Sequence, residues 1–362
     1  MAHSFEFLYP SNTSHISSTP LEELSGVSSL SFSRNNRPII YANYPEQIGK
    51  EGLGLALAEN GWCVNQQTIT AGEAHIFFSH WNRSGDTLKY RVQIYNMSAG
   101  SVTITRSNCG FSSGWGDPGE TVKEFYNSSS TSFSIDQGKS KWLTDEYSIA
   151  SEQPFNGMIR FSTTKAVIVT LYAYRSISAI DGTEQVYPYD PNTETYSKDN
   201  EVYSGVGTGY FLTVAHGTKN VSGLPYRYVT NKMNANNNEI TPISIVGTNY
   251  VASEDAAKPL NNLGNWCTQN YHTITFVNNT GSPQTIYGYI GSNNEGNTPV
   301  VAKGSNIESV KLETPKRTWK WCRINMDAST TPFTLDYQTI LASYGAAPIF
   351  HEWSTDNRTS SN

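Results

Sequence analysis

The sequence predicts an all-β protein of two tandem β-sandwich domains, jelly-roll or immunoglobulin-like, arising from an internal duplication. Three observations carry this. First, the 362-residue chain holds 22 Tyr but only 17 Leu, alongside 42 Ser, 36 Thr and 33 Asn. Strands favour Tyr, Thr, Val and Ile, whereas helices favour Leu, Ala, Lys and Glu. Second, apolar and polar residues alternate in short runs separated by turns of Asn, Gly and Ser. Third, short segments recur in the same order in the two halves.

The strand runs come first. Leu88, Tyr90, Val92 and Ile94 alternate with Lys89, Arg91, Gln93 and Tyr95, so one face is expected to be buried and the other wet. Residues 75–81, 102–105, 157–161 and 166–174 read as further strands of the first half. In the second half the runs are 210–214, 239–246, 272–277, 284–290, 319–324 and 333–341. One helix is expected, capped by Asp117, with Pro118 at its first position and Glu120 completing a capping box. Val122, Phe125 and Tyr126 would face the core.

The repeat sets the domain organisation. Ala150-Ser-Glu-Gln-Pro-Phe155 recurs as Ala328-Ser-Thr-Thr-Pro-Phe333, each preceded by Lys-Trp, at Lys141-Trp142 and Lys320-Trp321. Upstream, Asn96-Met-Ser98 matches Asn278-Asn-Thr280, and each is followed by Gly-Ser. Trp-Cys also recurs, at Trp62-Cys63, Trp266-Cys267 and Trp321-Cys322. The boundaries that follow are an N-terminal arm at 1–26, a sandwich at 27–178, a linker at 179–204, a second sandwich at 205–354 and a polar tail at 355–362. The arm is expected to pair with a neighbour's sheet edge and so mediate self-association.

Charge and cysteine usage narrow the classes. There are 25 Lys+Arg against 31 Asp+Glu, a net charge of −6, and only 15% of residues are charged. This excludes a basic nucleic-acid binder, a coiled coil and a disordered acidic tail. The longest apolar run, 166–174, is far below the roughly 20 residues of a membrane span, so no membrane insertion is expected. The first 30 residues carry no basic n-region followed by an apolar h-region, so no secretory signal is read there. Cys63, Cys109, Cys267 and Cys322 form no C-x-x-C pair, which disfavours a zinc ribbon. Two cysteines per half admit one disulfide in each; the other reading is four buried free thiols.

No catalytic constellation is found. Gly110-Phe-Ser112-Ser-Gly114 matches the nucleophile-elbow pattern, but that chemistry needs a strand–turn–helix context. His216 lies in a run like the histidine motif of trypsin-like proteases, without the activated serine such chemistry requires. His75 and His80 are five apart on a strand and point to opposite faces, so no metal is assigned to them. Asp190, Asn192, Glu194, Tyr196 and Glu201 have the spacing of a calcium loop, but Thr195 stands where glycine is needed. They form the one cofactor candidate, a weak calcium site; otherwise no cofactor is expected. Gly205-Val-Gly207-Thr-Gly209 reads as a flexible hinge. The seven N-x-S/T sequons, at Asn12, Asn82, Asn96, Asn127, Asn220, Asn278 and Asn357, are what this composition produces by itself.

Aromatic residues in turn-rich segments are the best binding candidates: Trp115, Tyr187, Tyr189, Tyr196 and Trp353. Sugars stack on exposed aromatic faces while neighbouring Asn, Asp and Gln read the hydroxyls. Residues 71–82 together with 92–98 resemble β-sandwich regions of uncharacterised secreted or cell-wall-associated proteins of Firmicutes. That resemblance implies an extracellular or surface-associated location and supplies no catalytic residues to carry over. The expected function is a non-catalytic surface protein with a structural or adhesive role, binding glycan. The alternative is a hydrolase of glycans or glycoproteins with a site between the sandwiches. It would need two carboxylates about 5–10 Å apart, drawn from Asp117, Glu120, Glu124, Asp145 and Glu146.

Overall fold

The alternating run forms the strand Leu88–Tyr95, and Leu88, Tyr90, Val92 and Ile94 are all fully buried. Its other face is only partly wet, because Gln93 is buried as well. The computed structural model describes residues 3–17, 21, 30–43, 47–48, 62–175, 204–231, 243–247, 260–262, 267–291, 299–310, 312, 318–343 and 348–358. They form an all-β protein of four sheets, with one α-helix among the described residues.

A nine-stranded and a five-stranded sheet enclose the first core. In the larger, Gly72–Asn82 pairs antiparallel with Pro154–Thr163 and parallel with Pro38–Ala42. In the smaller, Leu88–Tyr95 pairs with Val167–Arg175. Ile40, Ile76, Phe78, Val92, Phe155 and Leu171 meet between them. Each large apolar side chain taken from water contributes roughly 1.5–3 kcal/mol. The second sandwich has two six-stranded sheets. Gln269–Val277 pairs antiparallel with Phe333–Leu341 and parallel with Phe211–Asn220, and Gln284–Gly291 pairs with Ile349–Ser354. Its core is built on Leu212, Val214, Ile274, Trp319, Trp321 and Trp353.

The sheets cross the boundary expected from the repeat. Ser31–Arg34 pairs with Phe211–Asn220 in the second sandwich, while Ser204–Thr208 pairs with Pro38–Ala42 in the first. Ile243–Gly247 and Leu260–Asn262 extend that same sheet of the first sandwich. The glycine-rich run at 205–209 is therefore mostly strand rather than hinge. Gly209 closes it at φ +94°, where a Cβ would collide with the Arg34 side chain.

The N-terminal segment also departs from expectation. Ser4–Phe7 pairs with Thr318–Met326 of its own chain. Phe7 packs against Trp319 and Trp321, so burial of this ring fixes the strand in cis instead of leaving it for a neighbour. At the other end, the Tyr289 hydroxyl donates to the Asp356 carbonyl, and Arg358 pairs with the buried Glu352.

The helix Gly119–Asn127 begins where expected, with Asp117 Oδ1 accepting from the Gly119 N–H at 2.7 Å. Glu120 pairs with Lys123 rather than reaching back to close a capping box. Val122 and Phe125 do not enter either sandwich core. They pack into a third cluster between the sandwiches, with Ile39, Tyr41, Phe77 and Met158 from one side and Tyr210, Val300 and Ile340 from the other.

Candidate functional site

The strand Gly72–Asn82 ends at Trp81 and Asn82, and the chain then turns back through Arg83. Asn82 fixes this end: its backbone N–H donates to the Gln153 carbonyl and its carbonyl accepts from the Glu152 N–H. Glu152 is thereby held at φ +62°, a left-handed conformation that costs a non-glycine residue of order 1 kcal/mol. Its carboxylate pairs with Arg83 Nε at 3.1 Å, and the Arg83 guanidinium lies 4.3 Å from the Trp81 ring centre.

Trp115 stands on this platform. Its ring is perpendicular to Trp81 at 5.2 Å, and its Nε1 donates to the Glu152 carbonyl at 3.3 Å. Even so, 63% of Trp115 is exposed, a higher fraction than for the two other exposed large apolar residues among the described residues, Tyr9 and Met97. An indole face fixed at its edge and open to water offers a stacking surface, with the Glu152 carboxylate and the Arg83 guanidinium beside it as hydrogen-bonding groups. Trp81 Nε1 and Gln47 Oε1 are buried here without a partner, on residues that face each other in register.

The other expected binding residues fare differently. Trp353 is 1% exposed, packed against Trp321, Tyr337 and Phe276, so it belongs to the second core and offers no face to a glycan. It lies on the strand Ile349–Ser354, whose burial the sequence reading missed. Tyr187, Tyr189 and Tyr196 lie outside the described residues, as do Asp190, Asn192, Glu194 and Glu201 of the calcium candidate.

Of the two readings of the cysteines, the described residues carry the free-thiol one. Cys109, Cys267 and Cys322 are buried free thiols. Cys322 lies in the second core and Cys267 in the cluster between sandwiches, so the two thiols of that half occupy different layers. Cys109 Sγ is 3.0 Å from the Tyr147 hydroxyl instead of paired to Cys63, whose side chain lies outside the described set. Burial raises the pKa of all three thiols, which keeps them protonated and unreactive.

Catalytic candidates find structural roles. Ser112 lies within the strand Val102–Ser113 and bonds to the Thr121 hydroxyl, far from a nucleophile elbow. Among the carboxylates proposed for a hydrolase, Asp117 caps the helix and accepts from the Ser309 hydroxyl. Glu124 accepts from the Phe111 N–H, and Glu146 takes the Tyr174 hydroxyl and Lys89. Asp145 is exposed. Asp117, Glu124 and Glu146 thus each have different hydrogen-bond partners.

Histidines form a buried chain in the second core that sequence spacing did not suggest. The Tyr226 hydroxyl bonds to His216 Nδ1, His216 Nε2 to His272 Nδ1, and His272 Nε2 to the Thr339 hydroxyl, each at 2.9 Å. His351 stacks on Tyr228 and bonds to Thr230. Burial drives the His216 pKa down to about 3 and holds His272 and His351 well below the usual imidazole value. Among the described residues no group of three or more His, Cys, Asp or Glu has the arrangement to hold a metal ion. His75 and His80 do point to opposite faces: His80 lies against Tyr90 and Phe155 in the first core, and His75 against Tyr210 and Phe125 between the sandwiches.

No family model and no curated protein matches the chain. Among solved structures, a variant of Bacillus subtilis oxalate decarboxylase is 8% identical, over 94% of this chain and 81% of its own, at a TM-score of 0.11. Protein Ylba from E. coli is 11% identical, over 93% and 97% of the two chains, at a TM-score of 0.11. A salicylate 1,2-dioxygenase from Pseudaminobacter salicylatoxidans is 9% identical, over 93% and 90%, again at 0.11. A superposition at that score carries no argument, and none of these activities is transferred to this chain.

Proposed function

We propose that the protein is a non-catalytic surface protein with a structural or adhesive role that contacts glycan through Trp115. The observation that carries this reading is an indole exposed to 63% yet fixed by Trp81 and the Glu152 carbonyl. Leaving so large an apolar face in water forgoes the free energy of burying it. A fixed aromatic face also binds with little loss of side-chain freedom. The Arg83–Glu152 pair supplies the polar groups that orient hydroxyls. An extracellular or surface location belongs to the same proposal.

The two sandwiches are read as copies from one duplication. Supporting this, each has an antiparallel strand pair whose first member also pairs parallel with an earlier strand. Asn82 closes the one and Asn278 directly follows the other, and each makes the same turn.

The test is a glycan and polysaccharide array probed with the wild-type chain and with Trp115→Ala, with light-scattering mass recorded on the same samples. Binding of a defined glycan class, lost in the variant, supports the proposal. Absence of binding by the wild type, or equal binding by the variant, overturns the glycan contact.

A further inference from the structure

Between the sandwiches lies a cationic side chain that no carboxylate among the described residues pairs with. Arg160, on the strand Pro154–Thr163, pairs in register with His75 on Gly72–Asn82. Its guanidinium faces the rings of Phe125 at 5.3 Å and Tyr210 at 5.9 Å, and one nitrogen donates to Gln269 Oε1 across the seam. Arg160 Nε is buried with no hydrogen-bond partner. No ion pair to Arg160 occurs among the described residues. Glu73 on the same face is engaged by Arg37 and by the Tyr210 hydroxyl.

The neighbours of Arg160 share this deficit. His75 is wholly buried, stacked on Tyr210 at 4.6 Å and edge-on to Phe125 at 5.6 Å, yet neither ring nitrogen has a partner. The Gln269 amide nitrogen is also buried and unpartnered, although its oxygen is used. Each such group carries a desolvation cost of about 1–3 kcal/mol when nothing satisfies it. Three adjacent unsatisfied side chains, each able to donate, on a shared seam are a built acceptor site. Desolvated cations are retained in proteins when paired.

We infer that the seam binds a small oxyanion, held by the Arg160 guanidinium, the Gln269 amide and a His75 N–H, so that the ligand bridges the two sandwiches. Carboxylate and phosphate share this chemistry. A guanidinium offers either a fork of parallel donors, and a planar carboxylate meets that fork in a single plane.

The experiment uses the full chain dialysed into chloride buffer. Its thermal midpoint is followed against sodium acetate and against sodium phosphate at constant ionic strength, and the undialysed protein is weighed by native mass spectrometry. The expected result is a saturable rise of about 4 °C, larger for acetate, and absent in Arg160→Gln. A retained small-acid adduct that disappears in Arg160→Gln supports the inference equally. A larger rise with phosphate keeps the site and replaces the carboxylate. If Arg160→Gln does not fold, Gln269→Met, which leaves the charge in place, must reduce the rise or the adduct. A wild type with neither adduct nor saturable rise overturns the inference, as does an undiminished response in the variant.

Discussion

Asn278 repeats at the end of the strand Gln269–Val277 the turn that Asn82 makes at the end of Gly72–Asn82. Asn82 Nδ2 donates to the carbonyls of Asp86 and Ile149, at 2.9 and 3.0 Å, while its Oδ1 accepts from the Ser84 N–H. Asn278 Nδ2 donates to the carbonyls of Ser282 and Asp327, and its Oδ1 accepts from the Thr280 N–H. Each amide ties a hairpin to a loop dozens of residues downstream. Both side chains are fully buried, so these two sequons are closed to modification in the folded chain.

Removing either amide leaves two carbonyls and one N–H without their partner. Asn82→Ala and Asn278→Ala should therefore each lower unfolding free energy by about 2–4 kcal/mol. Urea denaturation of the two variants checks this, and a cost under about 1 kcal/mol for both would refute the role given to the turn.

Acid should destabilise the protein through its buried histidines. His75, His216, His272 and His351 have folded pKa values depressed below the unfolded value of about 6.5. The unfolded chain then binds more protons than the folded one as pH falls below about 6.5, so stability is full above that value and declines below it. For His216 the loss continues until the folded value near 3 is reached. Each neutral buried histidine adds a slope of about 1.4 kcal/mol per pH unit in this window. Denaturation at pH 7.5, 6 and 5 measures it. His272→Gln should flatten the slope if it folds, and a flat profile in the wild type would contradict the assignment.

Two tryptophans should separate binding from stability. Trp115→Ala should change stability by no more than about 0.5 kcal/mol, because the ring is mostly in water. Trp353→Ala, at the centre of the second core, should cost about 3–5 kcal/mol. Chemical denaturation of both variants gives the comparison, and similar costs would show that Trp115 is a packing residue.

The thiols at Cys109, Cys267 and Cys322 should resist alkylation in the native state and react once denaturant is added. Iodoacetamide labelling with peptide mapping reads each site separately. A disulfide-linked peptide containing any of the three in the non-reduced map would overturn their description as free thiols.

Strand positions were legible wherever one face is buried, because alternation at Leu88–Tyr95 or over residues 272–277 follows from burial itself. The register of the repeat was not. Asn96 makes a similar turn, donating to the carbonyls of Gly100 and Ile135, but its glycine lies four residues on, whereas Gly85 and Gly281 each lie three residues after Asn82 and Asn278. Strand pairing, too, places Asn82 rather than Asn96 as Asn278 is placed, beside one antiparallel and one parallel neighbour. The Trp-Cys recurrence misled for a related reason: Cys322 sits inside a strand, whereas Cys267 lies in a turn at φ +57°. Trp115 could be singled out from its glycine-rich loop, but its supports Trp81, Arg83 and Glu152 could not. The group around Arg160, His75 and Gln269 left no sequence signal, since only the docking of two sandwiches brings those positions together.

The pairing of Ser4–Phe7 with Thr318–Met326 joins residues as far apart as Ser4 and Asn325, 321 positions along the chain. A ribosome delivers the first of these strands long before its partner exists. Through most of synthesis Phe5 and Phe7 have no sheet to join, and Pro38–Ala42 likewise waits for Ser204–Thr208. Neither sandwich can be finished while the chain is still being made from its own half alone. The nascent protein thus carries Phe5 and Phe7 without their sheet until residues 318–326 have been made, and that interval is when it most needs protection from aggregation.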